Sequence, residues 1–217
     1  SRSRLLVDFT NDRRRVQEGI DRVRSGGGTA FYDALDRSLS DYMAGVEGRK
    51  AIVVFTDGVD NRLTGDYADG SRIDFSTLFR SIQEEETLIY TIFLDTEDSV
   101  RQSSSPGSVG GILADILLGG GRGGSIKLGN DPAYEEARRE LERIADQTGG
   151  RIYSPRRISD LSGVYEEIAN DLRVQYTLGY HSPNNSRDGQ WRDIEVKIKN
   201  RDDLAVRARR GYYAERD

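Results

Sequence analysis

The chain has no cysteine among its 217 residues, which excludes disulfides, zinc ribbons, thiol nucleophiles and iron–sulfur ligation. It has one histidine, His181, in a turn-like stretch beside Ser182-Pro183. No histidine-based triad can form, and His181 reads as a surface residue. No apolar run approaches the ~20 residues that a membrane helix needs. Proline is scarce, with four in all, and regular apolar runs further argue against a disordered chain. A strong charge of one sign is also lacking: 32 basic and 37 acidic residues interleave to a net charge of −5. No basic stripe with aromatic residues between its charges occurs, so nucleic acid is not an expected partner. What remains is a polar-surfaced chain with 35% hydrophobic residues, enough for one domain and a small appendage.

Along the chain, residues 5–9 read as a short strand and residues 10–12 as a helix cap. Val16, Ile20 and Val23 then recur at helical spacing. The run Gly26-Gly27-Gly28-Thr29 interrupts the pattern, and Phe31, Leu35, Leu39, Tyr42 and Met43 form the apolar stripe of a helix over about 30–44. Residues 50–56, Lys-Ala-Ile-Val-Val-Phe-Thr, are a continuous apolar run, as are residues 88–94. Such strands are buried on both faces, the mark of a parallel sheet covered by helices. A helix over 76–86 separates them, with Leu78, Phe79 and Ile82 inward. Residues 95–131 change composition. Ser/Gly-rich stretches flank an apolar patch at 112–118, which reads as an insertion. Helical spacing returns with Ala137, Leu141, Ile144 and Ala145 and stops at Thr148-Gly149-Gly150. A strand at 151–153 and a helix over about 158–173 follow, the helix burying Leu161, Val164, Tyr165, Ile168 and Leu172.

The fold expected is therefore α/β, a doubly wound, Rossmann-like, mostly parallel sheet with helices on both faces, over residues 1–173. Residues 174–217 form a β-rich extension with strands at 176–180, 191–199 and 204–213. The middle one alternates, with Ile194, Val196 and Ile198 on one face. Antiparallel pairing with one wet face follows, and Trp191 and Tyr212 are expected to pack this tail onto the domain.

In a sheet of this kind functional groups gather outside the carboxyl ends of the strands. One strand ends in Thr56-Asp57-Gly58-Val59-Asp60-Asn61, and the glycine run delivers Thr29 to the start of a helix that carries Asp33 in its first turn. Thr29 and Asp57 are both placed to meet there. A hydroxyl and a carboxylate without histidine or cysteine suit a hard, oxygen-seeking cation such as Mg²⁺ or Mn²⁺. Each residue also has an ordinary reading. Asp57 opens an Asp-Gly turn, Thr29 caps a helix, and Asp33 complements a helix dipole. Asp60 and Asn61 read as solvated loop that reaches the site through water at most.

Gly27-Gly28-Thr29-Ala30-Phe31-Tyr32-Asp33-Ala34-Leu35 and Val53-Val54-Phe55-Thr56-Asp57-Gly58 resemble the second and third elements of the metal-ion-dependent adhesion site of von Willebrand factor A domains. Phe9-Thr10-Asn11-Asp12, Thr148-Gly149-Gly150-Arg151, Gln175-Tyr176-Thr177-Leu178-Gly179-Tyr180 and Arg209-Arg210-Gly211-Tyr212 resemble an often exported bacterial branch of that family. The resemblance implies an extracytoplasmic, non-enzymatic module. Thr29 and Asp57 would be metal ligands, with Asp33 and Asp60 as lesser candidates. Gly28, Gly58 and Asn61 would lie on a rim that meets an acidic side chain of a protein partner. The family's first element, Asp-x-Ser-x-Ser, does not occur before Thr29. By family order two strands and a helix are expected ahead of Ser1, one of those strands beside residues 50–56. The alternative role is a metal-free assembly domain whose tail strands pair with other strands.

Enzyme patterns fail in turn. The glycine-rich 119–127 stretch lacks Gly-Lys-Ser/Thr, Asp57 and Asp60 are spaced wrongly for a haloacid-dehalogenase-type aspartate pair, and Gly-x-Ser-x-Gly is absent.

Overall fold

The structure is a computed structural model that describes residues 3–24, 28–56, 59–66, 68–93, 132–155, 157–201 and 203–216. The insertion at 95–131, with its apolar patch at 112–118, lies outside the described residues, as do Asp57 and Gly58.

Strands β1 (Lys50–Thr56) and β2 (Thr87–Phe93) run parallel, with Lys50 opposite Thr87 and Thr56 opposite Phe93. Strand β3 (Ile152–Tyr153) adds to β2, also parallel, giving the order β1-β2-β3. Five α-helices stand among the described residues: α1 (Arg13–Asp21), α2 (Phe31–Arg37), α3 (Phe75–Glu84), α4 (Pro132–Thr148) and α5 (Leu161–Arg173). This is a mixed α/β molecule, and β2 is covered on both faces. Ile89 and Phe93 of β2 pack with Tyr32 and Leu35 of α2, Leu78 and Ile82 of α3, and Leu141 and Ile144 of α4. Tyr90 and Ile92 point the other way, onto Tyr153 and Ile168 of α5. The continuous apolar run of β2 thus has the two-sided burial its sequence calls for.

β1 departs from that expectation. Ile52 and Val54 reach the first cluster and Phe55 the second, but only as half-buried residues, and Val53 is 41% exposed. The reason is position. Among the described residues β1 ends the sheet order, and the cover that α5 gives Tyr90 and Ile92 does not extend to Val53.

The helices start and stop where local chemistry directs. The Asp12 carboxylate accepts the Arg14 N–H at 2.9 Å and caps α1. Asp74 does the same for α3 by accepting the Thr77 N–H at 2.9 Å, a bond that holds its carboxyl down to about 2. α2 widens into a π turn over Ser38–Met43, closed by the Ala44 N–H on the Leu39 carbonyl at 3.1 Å. The helix expected over 30–44 is therefore present with one altered turn.

Several expectations are corrected. Residues 5–9 form no strand: no described strand runs beside them, and a strand exists only as part of a pair. Phe9 is left 67% exposed. Val16 and Ile20 keep their helical spacing in α1, but no described residue buries them and both are exposed. Tyr165 of α5 is likewise exposed, while Ile168 is buried.

Among the described residues of the tail, β4 (Trp191–Asp193) and β5 (Gly211–Tyr213) pair antiparallel, with one further bond at each end, Ile194 N–H to Arg210 O and Ala214 N–H to Gln190 O, both 2.9 Å, and an isolated bridge joins Asp188 and Arg216. The alternation beyond Asp193 survives as half-buried Ile194 and Val196. Residues 176–180 join neither sheet. Trp191 packs on Tyr213 inside the tail, ring centroids 5.1 Å apart. β5 meets α3, where the Tyr213 hydroxyl donates to Gln83 Oε1 at 3.4 Å, and arginines add to the connection. Arg209 donates to the Gln83 carbonyl at 3.0 Å, Arg210 pairs with Asp146 at 2.6 Å, and Arg207 pairs with Asp171 at 3.0 Å.

Among the described residues some buried polar atoms are poorly served, the Thr87 hydroxyl at the start of β2 and Arg192 Nε among them. The Thr91 hydroxyl, in the middle of β2 and wholly buried, has no hydrogen-bond partner among the described residues. An unmet buried hydroxyl costs about 1–3 kcal/mol, and valine has nearly the same shape without it. Thr91→Val is expected to raise the midpoint of urea unfolding, by about 1 kcal/mol of stability. A lowered midpoint would mean that the hydroxyl has a use.

Candidate functional site

The site grows from the meeting of α2's first turn with the loop that leaves β1. Thr29 and Asn61 clasp each other: the Thr29 N–H donates to Asn61 Oδ1 at 2.8 Å, and the Asn61 N–H donates to the Thr29 carbonyl at 2.9 Å. Gly28 fits between Asn61 and Asp69. A Cβ on it would stand 2.5 Å from Asn61 Nδ2 and 2.5 Å from Asp69 Cβ. The glycine is therefore required by close approach, and its signal in the sequence has a physical cause.

Asp60, expected as solvated loop, is wholly buried. A buried carboxylate is tolerated when donors surround it. Its Oδ1 accepts the Arg62 and Ser71 N–H groups, each at 2.9 Å, and its Oδ2 accepts the Tyr32 N–H at 3.2 Å and the Ser71 hydroxyl. Asp33 plays a matching part from the helix. Its N–H donates to Ser71 Oγ at 3.0 Å, and its Oδ1 accepts the Arg72 and Ile73 N–H groups at 2.9 and 3.2 Å. The two acids thus tie residues 60–73 to the start of α2, whose N-cap, Ala30, has no side chain able to cap it.

Beneath this lies a buried pair that sequence reading did not single out. The Tyr32 hydroxyl donates to Glu140 Oε2 of α4 at 2.7 Å, with Tyr32 at 1% exposure and Glu140 at 6%. Burial pushes the Glu140 carboxyl up to about 7. The Tyr32 hydrogen bond and Arg143 pull against that rise, and Glu136 and Asp60 add to it. Burial also raises the Tyr32 phenol, and its bond to Glu140 raises it further, so it stays a donor. A signal for Glu140 did exist. It sits on the apolar stripe of α4, one turn from Ala137 and Ile144, where an acid is out of place. Ser71 carried no such mark.

The hard-oxygen donors now sort themselves. Four donors already fill Asp60's oxygens, so Asp60 organises the loop rather than meeting a cation directly. Asp33 spends one oxygen on the same task. Among the described residues no group of three or more acidic or histidine side chains is arranged to hold a metal. The structure brings Thr29, Asp33, Asp60, Asn61 and Gly28 to one rim, and the Asp57 and Gly58 assignments lie outside the described residues. No helix among the described residues is long and apolar enough to cross a membrane. Compared with known proteins, the chain matches no family model, no curated protein and no solved structure.

Proposed function

We propose that this chain is a von Willebrand factor A-like, Rossmann-like module that binds a protein partner through a divalent cation at this rim and catalyses no reaction. The observation that carries the reading is the Thr29–Asn61 clasp. It presses the Gly28–Thr29 corner against the loop that leaves β1, a few residues beyond Asp57 in the chain. The Thr29 hydroxyl and the Asp57 carboxylate would hold Mg²⁺ or Mn²⁺, hard cations that such oxygens suit. Held there, a cation offers an open coordination position to an acidic side chain of the partner. Asp33, Asp60 and Ser71 keep the rim rigid, and Gly28, Gly58 and Asn61 border it. An extracytoplasmic, bacterial setting is part of the same proposal.

The test is thermal. At a free Mg²⁺ concentration about a hundred times the dissociation constant, the full-length protein, with the complete domain, gains about 2.7 kcal/mol, seen as a raised Tm. Asp57→Ala is expected to abolish the rise. The same shift in both proteins rejects the assignment.

A second reading is favoured by another observation. Among the described residues no strand lies against the outer side of β1, which is long, apolar and partly exposed. That suits an assembly domain whose sheet is continued by a strand from elsewhere.

A further inference from the structure

Tyr32 is held at both ends by acids from different elements. Its N–H donates to Asp60 Oδ2 of the loop at 3.2 Å, and its hydroxyl donates to Glu140 Oε2 of α4 at 2.7 Å. Its ring is fixed between them, packed edge-on against Phe31 and Phe75 with centroids 5.9 and 6.1 Å away. One rigid side chain therefore ties α4 to the start of α2 and, through Asp60, to Arg62 and Ser71.

The two acids are unequally provided for. Asp60 accepts from four donors, enough to keep a charge in a wholly buried place. Glu140 has the Tyr32 hydroxyl, while the cation on its own helix, Arg143, lies over Phe75 and Phe79, 4.9 and 4.8 Å from their ring centroids. β2 and α3 bring apolar Ile89, Phe93, Leu78 and Ile82 to the core against which α4 lies. The other charges that face the carboxyl, Glu136 of α4 and Asp60, share its sign. Burial first, and those like charges after it, raise the carboxyl to about 7, against the pull of the Tyr32 bond and Arg143.

An ionised Glu140 is relieved by meeting water. It lies one turn beyond half-exposed Glu136 and is itself 6% exposed, so the way out is short. If it leaves alone, it strands a buried hydroxyl, which is unfavourable. Tyr32 therefore moves with it, and the Tyr32 N–H is drawn from Asp60.

We propose that Tyr32 and Glu140 form a proton-operated latch on the rim. With Glu140 protonated, α4 holds the start of α2 and residues 60–73 closed. With Glu140 ionised, these open together as one local unit. Any effect of the latch on partner binding rests on the proposed function, and the latch itself does not. The open form carries an ordinary carboxyl, so closure is most favoured below about pH 4.3 and opening grows until the pH passes 7. Between pH 5 and pH 8 the growth is on the order of fiftyfold.

Amide hydrogen exchange on the full chain, corrected for the intrinsic rate and with no divalent cation added, reads this opening. The Tyr32, Asp33 and Ser71 amides should lose protection by that factor from pH 5 to pH 8, while the Ile194 and Ala214 amides of the tail keep theirs. The three should also stay less protected than the Thr91 amide of β2, which marks the opening as local. Glu140→Gln keeps an acceptor for the hydroxyl and should abolish the dependence. Tyr32→Phe keeps the ring and drops the link. It should leave Glu140 titrating, read from its carboxyl carbon resonance, yet remove most of the loss at Asp33 and Ser71. Equal losses in wild type and Glu140→Gln overturn the latch, as does an undiminished loss in Tyr32→Phe. Protection equal to that of Thr91 at every pH also overturns it, since only global unfolding then exposes these amides. A pH-dependent loss without a Mg²⁺-raised Tm keeps the latch and rejects the cation, and a raised Tm without the loss does the reverse.

Discussion

Gly150→Ala is expected to remove more than about 3 kcal/mol of stability, a large part of what a domain of this size has. Gly150 precedes β3 and passes directly against β2. A Cβ there would stand 2.0 Å from the Ile89 carbonyl oxygen and 2.7 Å from its carbonyl carbon. Both obstacles are backbone, so no rotamer can relieve the clash. Relief requires β3 to move away from β2, and that breaks the bond from the Thr91 N–H to the Arg151 carbonyl, 2.9 Å long. It also loosens the contact in which the Thr148 hydroxyl oxygen accepts the Ile89 N–H at 3.2 Å. Urea unfolding followed by circular dichroism measures the loss, and a change under about 1 kcal/mol would show that the strand junction yields more easily than its spacing implies.

The second large effect is on pH dependence, through Glu140. Its carboxyl titrates near 7 in the folded protein, chiefly because it is buried, and near the ordinary 4.3 in the unfolded chain. A folded-state value above the unfolded one means that the native protein holds this proton more tightly. The contribution to stability is therefore complete below about pH 4.3 and is lost as the pH climbs through 7. The full change is on the order of 3 kcal/mol. The groups that face the carboxyl are Tyr32 from α2, Asp60 from the loop after β1, and Glu136 and Arg143 from α4 itself. Glu140→Gln keeps an acceptor for the Tyr32 hydroxyl and cannot ionise. The difference in unfolding free energy between this variant and wild type should grow from pH 5 to pH 8 in favour of glutamine. If the two proteins run parallel over that range, the carboxyl is not desolvated as its burial indicates.

The parts of the fold legible in the sequence are those where one short pattern decides the outcome. The apolar run of residues 88–94 leads to β2, buried on both faces. The stripe Ala137, Leu141, Ile144 leads to α4, with the same residues inward. Patterns that need a second element failed where that element was missing. Residues 5–9 and 176–180 have strand chemistry without a described strand beside them, and Val53 belongs to an apolar run but lies at an edge.

The candidate site divides along the same line. The place of Gly28 and Thr29 just ahead of α2 was legible because a glycine run before a helix is a local signal. Asp60 was not, because three of its four donors are backbone N–H groups and the fourth is Ser71, brought to it only by the folded loop. No residue type in the sequence advertises an amide. That is why a carboxylate expected in water turned out to be central to the rim.

The start of α2 has a consequence for how the rim comes into being. A helix's first amides are usually satisfied from within a residue or two of the cap. Here the Tyr32 and Asp33 amides find their acceptors on Asp60 and Ser71, far along the chain. The helix beginning is thus a tertiary object. A synthetic peptide spanning the glycine run and α2 carries neither acceptor, so the rim's geometry belongs to the closed loop and cannot be transplanted with its most recognisable sequence.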